Sequence, residues 1–127
     1  MNLLEYFQDA KGTGVLATSD AEGNVDIAIY SRPYIIEENQ IAFSMLDRLS
    51  YANVQSNPKA AYLFREEGKG YNGTRLYLTK IGEETDPERI KEIKKQHSRT
   101  YSPEETHKHL VYFEIERTRP LIGDKTD

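Results

Sequence analysis

Residues 41–64, IAFSMLDRLSYANVQSNPKAAYLF, constrain the fold more than any other stretch of the chain. Ile41, Phe43 and Met45 alternate with Ala42 and Ser44, the period of a strand with one buried face. The alternation then stops, and residues 48–56 fit a short helix that ends at Asn57-Pro58. A second strand follows at 59–65. Arg48, Ser50 and Asn53 stand near the start of the helix. A strand running into a polar helix start forms a ready anion site, because free backbone N–H groups and the positive end of the helix dipole meet there. Such a site suits the phosphate of a nucleotide cofactor. Ordinary capping and solvation explain Arg48 and Ser50 as well, and the residues alone do not choose.

The same reading extends along the chain. Residues 2–8 suit a short helix with Leu3, Leu4 and Phe7 on one side. Residues 14–19 and 24–30 are strands joined by the turn Asp20-Ala21-Glu22-Gly23, and they form a hairpin. In the second strand Val25, Ile27 and Ile29 face one way, and Asp26, Ala28 and Tyr30 the other. Ser31-Arg32-Pro33 interrupts this run, and Pro33 marks an edge or a bend before it resumes at 34–36. The Gly-rich turn 66–73 leads into a strand at 74–81. Asp86-Pro87-Glu88 opens a third helix, with Asp86 as N-cap and Ile90, Ile93 and His97 on its inner face. Residues 98–106 read as a polar loop, 110–116 as the last strand, and the chain from about 120 as a polar tail. Strands joined by tight turns predict a mainly β fold, a six-stranded antiparallel barrel with short flanking helices. The 127 residues are read as one domain. Its sheet edges need covering, and a dimer covers them.

Composition narrows the function. Charged residues make up 30% of the chain and the formal net charge is −4, which argues against nucleic-acid binding. There is no cysteine, so disulfides, thiol catalysis and thiolate metal sites are excluded. A cytoplasmic setting fits. The first residues lack the pattern of a signal peptide, and no apolar run nears the roughly 20 residues of a membrane span. His107 and His109 form an H-x-H pair, but no third ligand can be placed, so no metal is expected. No Ser/His/Asp set has supporting context, and no catalytic side chain is assigned.

The order of elements, with GVLATSDAEGNVDIAIYS and SMLDRLSYANVQSNPKAAYLF, resembles the FMN-binding split barrels of the pyridoxamine 5′-phosphate oxidase-like superfamily. The closing VYFEIERTRPLIG is similar to that family's last strand. The resemblance spans nearly the whole chain. It implies a homodimer with FMN in two interfacial clefts. It places Ala28, Ile29, Tyr30 and Ser31 along the isoalloxazine, with Arg32 a few residues on as a second cation. Ser44, Met45 and Leu46 come from the strand before the helix. The family's phosphate-binding Arg-Lys pair falls on Leu49 and Ser50, which leaves Arg48 as the nearest cation. Thr74 or Arg75 is implied from the partner subunit.

The resemblance implies two-electron flavin chemistry on a small molecule. The chain shows no basic set for a second phosphate near its C-terminal end, which argues against pyridoxamine 5′-phosphate oxidase activity itself. Three alternatives stay open: a flavin module for electron transfer or sensing without turnover, a barrel holding a deazaflavin or heme instead, and a barrel with no cofactor that acts as a binding protein.

Overall fold

The computed structural model describes residues 2–97 and 109–123. Seven strands form one antiparallel sheet: β1 (Gly12–Ser19), β2 (Val25–Ile29), β3 (Tyr34–Glu37), β4 (Gln40–Met45), β5 (Lys59–Glu66), β6 (Gly73–Glu84) and β7 (His109–Pro120). Their order is β2-β1-β5-β6-β7-β4-β3. Three helices flank it: α1 (Leu3–Asp9), α2 (Leu49–Ser56) and α3 (Pro87–Gln96). The fold is the expected mainly β, antiparallel split barrel, with seven strands instead of six. The extra strand arises at Ser31-Arg32-Pro33. Pro33 has no N–H to offer a ladder, and Tyr34–Glu37 leaves β1 to pair with β4. Consecutive strands β2 and β3 therefore lie on opposite edges of the sheet. The short link 30–33 draws those edges together and makes the barrel.

That corner is fixed by a close approach. The Tyr62 hydroxyl, from β5, crosses over Gly14 of β1 and donates to the carbonyls of Tyr30 and Ser31, 3.2 Å from each. Tyr30 N–H donates to the carbonyl of Gly14 at 3.0 Å. A Cβ on residue 14 would lie 1.9 Å from the Tyr62 hydroxyl oxygen and 2.4 Å from the Tyr30 carbonyl oxygen. Only glycine leaves that path open.

The alternating strands send one set of side chains inward. Leu16, Ile41, Phe43, Tyr62, Leu76 and Phe113 fill the barrel, and Phe7 of α1 and Val54 of α2 complete its core. Phe43 and Tyr62 lie 4.8 Å apart, and Phe7 meets Phe64 edge-on at 5.4 Å. Outside the barrel, Ile90 and Ile93 of α3 pack on Tyr34, Ala42 and Leu110. Asp86 caps α3 by accepting the Glu88 N–H at 3.1 Å. At its other end His97 Nδ1 faces the Ile93 carbonyl at 2.8 Å, and Nε2 accepts the Ile35 N–H at 2.8 Å, so one imidazole ties α3 to β3.

The apolar side of β2 faces outward. Val25, Ile27 and Ile29 are 82, 71 and 73% exposed, while Asp26, Ala28 and Tyr30 are half-buried. Ile29 pairs with Val15 and Val15 with Leu63, and Ile27 pairs with Ala17 and Ala17 with Ala61, so these residues form one apolar patch across β2, β1 and β5. At the other end of the chain, β7 runs from His109 to Pro120, past the strand read at 110–116 and up to the start of the expected tail. The loop read at 98–106 and residues 124–127 lie outside the described residues. No described helix is long and apolar enough to cross a membrane.

Gly14→Ala should destabilise the fold by about 1–3 kcal/mol or more through overpacking. Tyr62→Phe keeps the ring but strips two carbonyls of their donor and should cost about 1–3 kcal/mol. Urea unfolding midpoints measure both, and unchanged midpoints would show that the corner is held by something else.

Candidate functional site

A cleft of about 430 Å³ opens between β2 and the turn that leads from β4 into α2. Ala28, Ile29, Tyr30 and Ser31 line its β2 side. Ser44, Leu46, Arg48, Leu49 and Ser50 line the other. The alternation of β4 decides this arrangement: Met45 points into the core, fully buried, and its neighbours Ser44 and Leu46 face the cleft.

The other residues singled out from the sequence lie elsewhere. Asn53 is buried, and its Nδ2 donates to Thr18 Oγ1 at 3.0 Å, tethering α2 to β1. Arg32 turns toward α1, where Nη1 donates to the carbonyls of Phe7 (2.6 Å) and Gln8 (2.9 Å). It thereby serves the free carbonyls at that helix's C-terminal end. Thr74 is buried in β6, with its hydroxyl 3.5 Å from the Arg119 carbonyl. Arg75 Nε donates to the Pro120 carbonyl at 2.8 Å, and its Nη2 to that of Gly123. Neither residue lines the cleft. Asp26 and Ile27 line the cleft but were not singled out from the sequence. Asp26 shares the β2 face of Ala28 and Tyr30, so strand parity was the signal for it.

The cleft has a cationic and a polar end. Arg48 occupies the N-cap position of α2 and makes no side-chain cap. The Ala52 N–H takes the Arg48 carbonyl at 3.0 Å, so the N–H groups of Leu49, Ser50 and Tyr51 have no partner within the helix. Ser50 is buried at this end of the cleft, across from Tyr30. Burial raises the pKa of Tyr30, the Ser50 hydroxyl partly offsets this, and the charge of Asp26 adds to the rise. Tyr30 therefore stays a neutral hydroxyl near pH 7, with its ring edge-on to Phe43 at 5.9 Å. One cation, two hydroxyls and a set of free N–H groups can receive an anion, and the small Ala28 leaves room along the strand beside it.

A second polar cluster lies on the other side of the first turn of α2. The Tyr51 ring stacks on His109 at 3.8 Å and 11°. Its hydroxyl donates to Glu83 at 2.8 and 3.0 Å to the two oxygens, and His109 Nδ1 lies 2.7 Å from Glu83 Oε2. Burial, then the hydrogen bond and charge of Glu83, then Asp47 push the Tyr51 pKa up to about 12. His107, the other half of the H-x-H pair, lies outside the described residues. Among the described residues no three His, Asp or Glu side chains converge as a metal site would need.

Comparison with solved structures agrees with this architecture. An FMN-binding protein from Syntrophomonas wolfei subsp. wolfei superposes with a TM-score of 0.77 at 22% identity, covering 98% of this chain and 86% of that one. An F420 reductase gives 0.68 at 13% identity, covering 91% and 94%. A candidate pyridoxamine 5′-phosphate oxidase from Lactobacillus delbrueckii gives 0.69 at 18%, covering 92% and 89%. No family model and no curated protein matches the sequence. The chain shares the split-barrel fold of these proteins.

The Tyr51 cluster gives an alkaline signature. A folded-state pKa raised from 10.0 to about 12 means that the folded chain holds a proton the unfolded chain releases. The resulting stability is complete below about pH 10 and is lost as pH rises toward about 12. Tyr51→Phe should flatten that part of the stability profile, as measured by urea denaturation at about pH 9 and about pH 11. Equal slopes in the two proteins would refute it.

Proposed function

We propose that the protein is an FMN-binding oxidoreductase of the split-barrel type, acting as a homodimer on a small molecule. The observation that carries this reading is the cleft, where Arg48, the Ser50 hydroxyl and the free N–H groups of α2 meet at one end. A flavin phosphate brings up to about two negative charges, and it needs cations or convergent donors when shielded from water. Arg48 would supply the charge and the first turn of α2 the N–H donors. Leu49 adds only apolar surface. Tyr30 would offer a second hydroxyl from across the cleft. β2 is an edge strand paired with β1 alone, so one row of its backbone N–H and C=O groups is free to meet the polar edge of an isoalloxazine. Bound FMN would supply the two-electron chemistry, and the protein binding, orientation and electrostatics.

The outer face of β2 supports the homodimer. Three branched aliphatic residues more than two-thirds exposed, continuous with β1 and β5, fit the surface of a second copy. Arg75, the part-exposed member of the Thr74-Arg75 pair, would then reach the partner's cleft. A cytoplasmic setting suits a chain without cysteine. The second reading, a barrel holding a deazaflavin or heme or no cofactor, is favoured by the leucine at 49 and by the single cation in the cleft.

The visible spectrum, taken before and after incubation with FMN and gel filtration, tests the proposal. About one flavin per chain supports it, and a colourless protein sinks it. Arg48→Ala should weaken FMN binding by about 1.5–3 kcal/mol, roughly tenfold to a hundredfold. An unchanged dissociation constant would remove Arg48 from the phosphate. Ile27→Glu should convert the dimer to a monomer in sedimentation, and an intact dimer would place the interface elsewhere.

A further inference from the structure

We propose that Tyr51, Glu83 and His109 are positioning residues that clamp the first turn of α2 and so set the geometry of Arg48 and Ser50. This inference rests on the reading of the cleft given above. α2 is poorly equipped to hold its own place. Its buried residues are Ser50, Asn53 and Val54, so a single aliphatic side chain anchors it in the core. Its N-cap is an arginine that makes no cap, so the first turn lacks the local bond that usually fixes a helix start. Polar contacts take over. Asn53 bonds Thr18 in the middle of the helix, and Gln55 accepts from Lys80 Nζ at 3.0 Å near its end.

At the first turn the anchor is the Tyr51–Glu83–His109 cluster, which joins α2 to β6 and β7. Glu83 accepts from Tyr51 on both oxygens and meets His109 on one. Its side chain is 18% exposed and that of His109 25%. The imidazole lies flat on the phenol at 3.8 Å, so the ring cannot slide without breaking the bonds to Glu83. Asp47, from the turn before α2, is the other charged group acting on Tyr51. None of the three lines the cleft. Any influence they have on a ligand there passes through residues 48–50.

The test is a double-mutant cycle read by FMN titration, joined to amide exchange in the free protein. Glu83→Ala should raise the FMN dissociation constant about tenfold or more, but less than about twofold when Arg48→Ala is already present. Glu83→Gln keeps an oxygen for the Tyr51 hydroxyl and should recover most of the loss. Equal losses in both backgrounds, or no loss, would overturn the clamp. In the free protein Glu83→Ala should speed exchange of the amides of residues 49–53 while leaving β1, β5 and β6 unchanged. Unchanged exchange overturns the clamp whether or not FMN binds. Faster exchange in a protein whose parent takes up no FMN supports the clamp and overturns the reading of the cleft. Tyr51→Phe keeps the stacked ring and should give the same pattern at smaller size if Glu83→Ala fails to fold.

Discussion

The passage of one tyrosine hydroxyl over one glycine governs this barrel. Tyr62 reaches from β5 across Gly14 to the carbonyls of Tyr30 and Ser31. Those two residues form the corner at which the chain leaves one edge of the sheet for the other. Holding their carbonyls holds the end of β2, and with it one wall of the cleft. Without that tether β2 would be an edge strand paired on one side with little to set its curvature. The hydroxyl bonds are individually modest, but carbonyls at such a corner left without donors are costly.

α2, on the opposite wall of the cleft, depends on polar contacts in a different way. It sits on the barrel through Val54 and a row of side-chain hydrogen bonds, not through a broad apolar stripe. A helix held by directional bonds is placed more specifically than one held by grease, and it is more exposed to the loss of any one of them. The two walls thus share a logic: each is positioned by a phenol whose hydroxyl reaches a neighbouring element.

The strands and helix caps were legible in the sequence because they are local. The alternation of Ile41, Phe43 and Met45 and the Asp86-Pro87 start of α3 need no knowledge of the rest of the chain. The side of the chain that lines the cleft followed from strand parity and from the resemblance. Other features were not legible because they depend on distant partners. Parity groups Val25, Ile27 and Ile29 on one face but does not say that the face points outward. Arg32 beside Pro33 read as a cation for a phosphate, yet its carbonyl acceptors belong to α1. β3 looked like a continuation of the hairpin because nothing local names its partner. Tyr51, Glu83 and His109 are scattered along the chain, and no spacing pattern links them.

The strand order has a bearing on how the molecule assembles. β1, β2, β5 and β6 form one half of the sheet, β3 and β4 the other, and β7 alone is hydrogen-bonded to both. Among the described strands β7 is also the last in chain order. Until it arrives, the β3–β4 hairpin has no neighbour, and the apolar inner side of β4 has no sheet to close over it. The pairing that joins the two halves is therefore long-range, and its loop closure is the slow kind.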